Sequence, residues 1–481
     1  MMTSMLMISI SEWVYTIIVV GYAVTVLGII GVVISENRNP VRSLAWVTVL
    51  LLLPLIGILL YAFFGRSLKS KHLISKKNKR KLLRHEHYQA IDENNLTLTS
   101  ESIQQIRLAR SLAGAHYFPG NKVKIYTSGS DKFNDFKKDL LAAKRYIHMQ
   151  YYIFNNDVLG NEIADILIKK YKEGVKVRVI YDHVGSLNVK NRFFQRMRAE
   201  GVSVEPFLRV TFPMFATRIN WRNHRKITII DGEIGYIGGM NIADRYINGV
   251  NWGTWRDSHM RVVGPFIQGL QYSFAIDWNF MGHELLQETT KIYDVKDSDE
   301  AGIQLLTSGP NDQWNNISFL LLKAIANAKK CVYIQTPYFL PTESILKGLQ
   351  SAALSKVDVK VMIPRKSDSI ILTLATRSYI TECLRAGVKI YFYEEGMLHA
   401  KTVVVDDEFS TIGSANFDFR SFEHNFEANA FIYSKTTNTR MKEIFMEDLK
   451  SCTRILPSQW RKRPLPIRWK ESLVRLLSPV L

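Results

Sequence analysis

The chain has 481 residues, 47% of them hydrophobic, with 63 Lys and Arg against 44 Asp and Glu, a formal net charge of +19. That composition excludes a disordered chain and allows two or three domains with well-buried cores, while the charge calls for an anionic partner, nucleic acid or membrane. The three cysteines, Cys331, Cys383 and Cys452, are scattered without metal-clip spacing, and their odd number argues against a disulfide framework. A reducing, cytoplasmic setting for the bulk of the chain fits best.

From the N-terminus, 22 positions from Trp13 to Ile34 carry no charge, and neither do the 21 from Leu44 to Phe64. Each run is long enough to cross roughly 30 Å of hydrocarbon as a helix. A short polar connection, "SENRNPVRS", joins them, so residues 1–66 are expected to form a transmembrane helical hairpin. Pro54 falls inside the second run, where a kink is tolerable. Nine Lys or Arg and no acid lie between Arg66 and Arg84, against Arg38 and Arg42 in the connection. Positive-inside counting then places everything after residue 66 in the cytoplasm, with a basic linker over 67–118 that suits an anionic leaflet.

Beyond the linker, strand and helix patterns alternate, and they do so twice. A strand over 143–154, a helix over 162–174 and strands over 175–182 and 201–207 are matched later by strands over 328–339, 357–364 and 387–393. This is an α/β duplication: a first domain over 119–286, a polar linker over 287–302, and a second domain over 303–481. Duplicated domains often face each other across a pseudo-twofold, and their interface is a common place for a ligand cleft.

Each copy ends its alternation on the same sparse constellation. Residues 224–241 read "HRKITIIDGEIGYIGGMN" and residues 399–416 read "HAKTVVVDDEFSTIGSAN". In a strand, positions i and i+2 share a face, so His224 projects with Lys226 and His399 with Lys401. Asp231 and Asp406 lie at odd spacing, where a tight hairpin turn is expected, and read as architectural supports of the site. Asn241 and Asn416 supply amide donors at the end of the returning strand. Two His, two Lys and two Asn on one cleft suit a phosphodiester: ammonium and amide groups stabilise anionic oxygens, one imidazole attacks phosphorus, and the other moves the proton. Glu427 and Asp257, equivalent in the repeat, are the candidates to orient His399 and His224. Without a carboxylate or Cys/His cluster, metal binding is disfavoured and no cofactor is expected. His148, His183 and His283 read as structural.

The doubled H-x-K-x4-D-x6-G-x2-N pattern resembles the phospholipase D superfamily. The stretches "NPVRSLAWVTVLLLLPLIGILLYAFFGR", "NHRK" and "SANFDFRSFEHNFE" and the ending "LLSPVL" are similar to bacterial cardiolipin synthases over nearly the whole chain. The resemblance implies two phospholipase D-like α/β/α domains sharing one interface active site. It implies a metal-independent conversion of two phosphatidylglycerols into cardiolipin and glycerol. His224, Lys226, Asp231, His399, Lys401 and Asp406 become the active-site set, with Asn241, Asn416 and Ser414 at the phosphate. The first motif usually supplies the nucleophile in this superfamily, which makes His224 the attacking residue. Neither copy departs from the motif, and the weakly fixed residue after its Gly differs between them, Gly239 against Ser414. The expected partners are phosphatidylglycerol and an anionic membrane rather than nucleic acid, at the cell membrane; oligomeric state is open. The rival readings are a phospholipase D-type hydrolase using water and a non-catalytic binder of anionic lipid.

Two further segments are lipid-facing candidates. The first copy takes 23 residues from Gly201 to His224 where the second takes 12 from Gly387 to His399. The extra length falls in "FLRVTFPMFATRINW" (207–221), with Phe207, Leu208, Phe212, Met214, Phe215 and Trp221 beside Arg209 and Arg218, which is expected to form a membrane-facing lip. Residues 466–477, "PIRWKESLVRLL", can form a C-terminal helix with Ile467, Leu473, Val474 and Leu477 on one side, suited either to a membrane surface or to docking on its own domain.

Overall fold

The computed structural model describes residues 2–35, 40–53, 56–61, 65, 75, 77–78, 81–82, 96, 98–210, 220–286, 288–291, 301–479 and 481. The N-terminal unit runs to Leu68. Its helix Met2–Ser35 contains a stretch, Glu12–Ser35, of 24 residues with mean hydropathy 2.8, long and apolar enough to cross a bilayer. Leu27, Ile34 and their neighbours turn apolar side chains outward, as a lipid-facing helix does. Of the second apolar run, Pro40–Leu52 and Ile56–Leu60 are helical, 13 and 5 residues, and Pro54 lies outside the described residues. Val26, Val33, Leu50 and Tyr61 pack together between these helices.

The larger unit is the duplication. Its first copy contributes strands β1 (Tyr117–Tyr126), β2 (Tyr146–Tyr151), β3 (Lys176–Asp182), β4 (Ser203–Phe207), β5 (Ile227–Ile230), β6 (Ile234–Gly238), β7 (Thr254–Arg256) and β8 (His259–Val263). The second contributes β9 (Ala301–Ser308), β10 (Cys331–Gln335), β11 (Asp358–Pro364), β12 (Lys389–Tyr393), β13 (Gly396–Leu398), β14 (Thr402–Val405), β15 (Phe409–Gly413), β16 (Glu427–Tyr433) and β17 (Cys452–Arg454). Runs such as "ITII" in β5 and "TVVV" in β14 are β-branched and wholly buried, the composition of a strand covered on both faces.

One sheet holds both copies. Its order is β17-β12-β11-β10-β14-β15-β16-β9-β1-β8-β6-β5-β2-β3-β4, so the second half repeats the first in mirror order and the two meet where β1 pairs antiparallel with β9. The parallel pairs β2–β3–β4 and β10–β11–β12 are crossover units, with helices Val158–Lys172 and Asn191–Ala199 in the first copy and Glu343–Leu354 and Ile370–Ala386 in the second. A core cluster drawn from both copies, including Ile227, Phe274, Leu398 and Ile432, lies on one face of the sheet. Burying that face takes both copies, so the duplication folds as a single unit.

The insertion candidate is corrected at both ends. Phe207 and Leu208 are buried and belong to the shared core, and Trp221 packs against it. Phe207 meets Phe426 edge-on at 5.3 Å. Residues 211–219, with Phe212, Met214, Phe215 and Arg218, lie outside the described residues. At the C-terminus, helix Leu465–Arg475 docks on helix Ile370–Ala386 through Val474 and an Arg475–Glu382 ion pair at 2.6 Å, and Arg463 closes on the buried Glu471. Leu465, Trp469, Leu473 and Leu476 on its other side are exposed.

Candidate active site

Two backbone contacts between the copies assemble the site. β13 of the second copy pairs in parallel with β7 of the first, bringing Leu398 opposite Arg256. The next residues are His399 and Asp257. Across the pseudo-twofold, an isolated parallel bridge sets Asn223 opposite Phe426, and the next residues are His224 and Glu427. The His399 N–H donates to the Arg256 carbonyl at 2.7 Å, and the His224 N–H donates to the Phe426 carbonyl at 2.9 Å. Both His-Lys pairs sit in extended chain just ahead of β5 and β14 rather than within them, and the two-residue spacing still keeps each pair together.

The carboxylates are crossed. Asp257 accepts from Nδ1 of His399 at 2.6 Å, and both oxygens of Glu427 lie 3.1 Å from Nδ1 of His224. The sequence reading that matched Glu427 to His399 and Asp257 to His224 is therefore corrected: each imidazole is oriented by the opposite copy, because each parallel bridge pairs the segment before one copy's histidine with the segment before the other copy's carboxylate. A carboxylate on Nδ1 holds the proton there and leaves the lone pair on Nε2.

Burial dominates the electrostatics. It lowers both histidines, His399 to about 4 with help from Lys401, and it outweighs the neighbouring carboxylates in each case. Burial likewise lowers Lys226 to about 7 and Lys401 to about 8 against the pull of Glu427 and Asp257. Burial alone would raise Asp257 and Glu427, but Lys401 and His399 hold the first low and His224 and Lys226 the second, so both stay ionised. Lys226 donates to the His224 carbonyl at 2.5 Å and Lys401 to the His399 carbonyl. An empty site therefore holds neutral imidazoles beside easily discharged amines, and an anion entering it raises all four affinities for protons.

Asp231 and Asp406 are elsewhere. Each sits in a left-handed turn, φ 55° and 53°, at the far end of its strand, about 16 Å of extended chain past the lysine. Asp231 accepts from the N–H groups of Lys144, Arg145 and Tyr146 at 2.7–2.9 Å, and Asp406 from those of Lys329, Lys330 and Cys331 at 2.7–2.9 Å. They tie each hairpin to the start of the neighbouring strand. Asn241 is spent on protein groups, accepting from the Ile153 N–H at 3.1 Å and donating to the Tyr246 hydroxyl at 2.7 Å. The Asn416 amide donates to Asp418 at 3.0 Å, and its oxygen is buried without a hydrogen-bond partner. The Ser414 hydroxyl donates to Glu427 at 2.5 Å.

Sequence reasoning missed the supports around His224. Asp182, fully buried at the end of β3, accepts from Arg222 at 3.1 Å and from the Asn223 N–H at 2.8 Å. Asp277 accepts from Arg225 at 2.6 Å and the Asn223 amide at 3.1 Å. The charges in "NHRK", inside a stretch bound for the core, were the signal available. Also missed were the aromatic walls: Tyr152 edge-on to His224 at 4.8 Å, and Trp255 and Tyr246 at 5.3 and 6.1 Å from His399.

A mirror-paired α/β duplication that closes two His-Lys-carboxylate sets on one cleft defines the phospholipase D-like class. Known proteins agree. Residues 136–253 and 321–449 match the family described as cardiolipin synthase, PLD-like domain, and residues 23–66 match the phospholipase D-nuclease N-terminal family. The chain is 40% identical to the major cardiolipin synthase ClsA of Bacillus subtilis, covering 96% of this chain and 98% of that one. It is 38% identical to a cardiolipin synthase of Staphylococcus aureus, covering 94% and 93%. In fold it resembles the crystal structure of a phosphatidylserine synthase from Haemophilus influenzae, with TM-score 0.61 and 12% identity over 79% of this chain and all of that one. The chain belongs to the cardiolipin synthase family of phospholipase D-like proteins.

Proposed function

We propose that this protein is a membrane-anchored phosphatidyltransferase that joins two phosphatidylglycerols into cardiolipin and releases glycerol. The observation that carries the reading is the crossed pair of imidazoles, each with Nδ1 on a buried carboxylate and a lysine beside it. Nε2 of His224 attacks phosphorus of the first lipid. The phosphorus–oxygen bond to the headgroup glycerol breaks, and that oxygen takes a proton from Nε2 of His399. His399 must be charged for this step, and the bound phosphodiester, an anion against it, supplies the upward shift that the empty site lacks. The terminal hydroxyl of a second phosphatidylglycerol then returns a proton to His399. Its oxygen forms the new bond to phosphorus, and the bond to His224 breaks. Lys226 and Lys401 stabilise the equatorial oxygens throughout. Asp231, Asp406, Asn241 and Ser414 act through the backbone and the carboxylates, and Asn416 offers the amide nearest to a substrate contact.

Residues 1–66 form the anchor in this reading, spanning the membrane twice, with the basic linker to residue 118 and the two domains over 119–286 and 303–481 on the cytoplasmic side. The charge bias after Arg66 and the helix Glu12–Ser35 support it. Purified full-length protein in phosphatidylglycerol vesicles should yield one glycerol per cardiolipin. Phosphatidic acid as the main product would instead make it a hydrolase, and no product would leave only a lipid binder.

A further inference from the structure

The two copies carry an arginine at equivalent positions, four residues past the motif Asn: Arg245 after Asn241 and Arg420 after Asn416. Their surroundings differ. The carboxylates of Asp418 and Asp182 answer the charge of Arg420. Arg245 has no ion pair among the described residues. Its neighbour Asp244 is spent on the N–H groups of Val158 and Leu159, at 3.2 and 2.8 Å. The Arg245 guanidinium lies 4.8 Å from the centre of the Trp255 ring and 5.7 Å from that of Tyr246. Nε of Arg245 and Nε1 of Trp255 are both buried donors without an acceptor. Two such donors side by side are uncommon in a folded protein and mark a place shaped for an acceptor from outside the chain.

That place is beside His399. The Trp255 ring is 5.3 Å from the imidazole and 4.8 Å from the guanidinium, which bounds the separation of Arg245 from His399 at 10.1 Å. In cardiolipin the two phosphates hang from the ends of one glycerol, six bonds or about 7 Å apart when extended. A lipid whose terminal hydroxyl meets His399 therefore holds its own phosphate one glycerol away, within reach of Arg245.

We propose that Arg245 and Trp255 form a subsite for the second, non-reacting phosphodiester of an anionic acceptor lipid. This rests on the phosphatidyl transfer argued above. The first step has no use for the subsite, because the leaving glycerol is uncharged. The second step uses it to select a phosphatidylglycerol over glycerol or water as acceptor, with the guanidinium and the indole N–H holding the phosphate while His399 takes the hydroxyl proton.

The test compares two acceptors in one vesicle assay with the full-length protein. Labelled glycerol added to phosphatidylglycerol vesicles enters the lipid by headgroup exchange, which needs the same histidines and no second phosphate. Cardiolipin formation needs both. In Arg245→Gln the ratio of cardiolipin formed to glycerol exchanged should fall roughly ten- to hundredfold, with Arg245→Lys intermediate and Trp255→Phe losing a few-fold. A ratio equal to that of the unaltered protein in Arg245→Gln, whether the two rates stay high or fall together, overturns the subsite. Unaltered protein that exchanges glycerol but makes no cardiolipin overturns the transferase reading instead.

Discussion

The two halves of the site face the cleft with the same atoms and are held from behind in different ways. Behind His224 the chain reads Arg222-Asn223-His224-Arg225, and three of those side chains lock into the buried carboxylates of Asp182 and Asp277. Behind His399 it reads Met397-Leu398-His399-Ala400, all apolar and fully buried except the histidine. The carboxylates differ in the same manner. Glu427 receives Ser414 and Asn425 at 2.5 and 3.2 Å as well as His224. Asp257 has Gly239 where Ser414 stands, because a Cβ there would come within 2.1 Å of its carboxylate oxygen. The repeat therefore preserves the paired imidazoles and lysines, while each copy solves the problem of rigidity with its own chemistry.

The sharpest way to break the comparison is at the imidazoles, where the halves are expected to be equally indispensable. His224→Ala and His399→Ala should each lower cardiolipin formation by about 10⁴-fold or more, read by lipid mass spectrometry. A phosphatidyl adduct trapped by acid quench should map to His224 and be absent in His224→Ala. An adduct on His399 would exchange the two roles.

Next come the lysines, where activity and stability should move in opposite directions. Lys226→Met should cost about 10²–10³-fold in turnover. Burial lowers the folded-state value of Lys226 to about 7 against an ordinary 10.5, so the unfolded chain binds the proton more tightly between those limits. The stability tied to this group is whole above about 10.5 and lost as pH falls through 7. Lys226→Met should thus melt several degrees higher than the unaltered protein at pH 7, with the gap closing as pH rises toward 10. A lower melting temperature at pH 7 would show the amine to be a structural strut.

The carboxylates test the crossing. Asp257→Asn should impair the proton transfers of His399, and Glu427→Gln the attack by His224, each by about 10–100-fold. With a substrate whose leaving group needs no proton, rapid-quench measurement should find slowed adduct formation in Glu427→Gln and an unaltered rate in Asp257→Asn, and the reverse pattern would restore pairing within a copy.

The supports should separate by kind. Asp277→Ala strands the Arg225 charge in the core and should cost about 3–5 kcal/mol, whereas Leu398→Ala leaves a cavity costing about 2–5 kcal/mol. Only the first loss should be relieved by a second change, Arg225→Met, measured by thermal melting. Smallest of all, Ser414→Gly, which copies the arrangement at Gly239, should cost less than about tenfold in turnover, since Asn425 and His224 still hold Glu427.

Much of this was readable from the residues. Short continuous hydrophobic runs, amphipathic helices between them and a pattern recurring at one interval gave away a duplicated α/β unit, because run length and amphipathicity are local properties of the chain. The His-Lys pairs were equally legible, since two-residue spacing puts side chains on one face whether or not the strand has formed. The tight turns at Asp231 and Asp406 followed from the turn chemistry of "DGE" and "DDE", and the structure adds that both residues are left-handed. What local pattern could not carry was partnership over long separations. His224 and Glu427 are 203 positions apart, and His399 and Asp257 are 142. Either carboxylate could have served either imidazole until the bridges Asn223–Phe426 and Leu398–Arg256 set the register. Phe207 and Leu208 looked like lipid contacts because a sequence shows that a residue is apolar and not what covers it; the shared core covers both. Residue type and spacing thus determined which groups are the candidates for the chemistry, and the packing of one copy on the other decided which carboxylate holds which histidine.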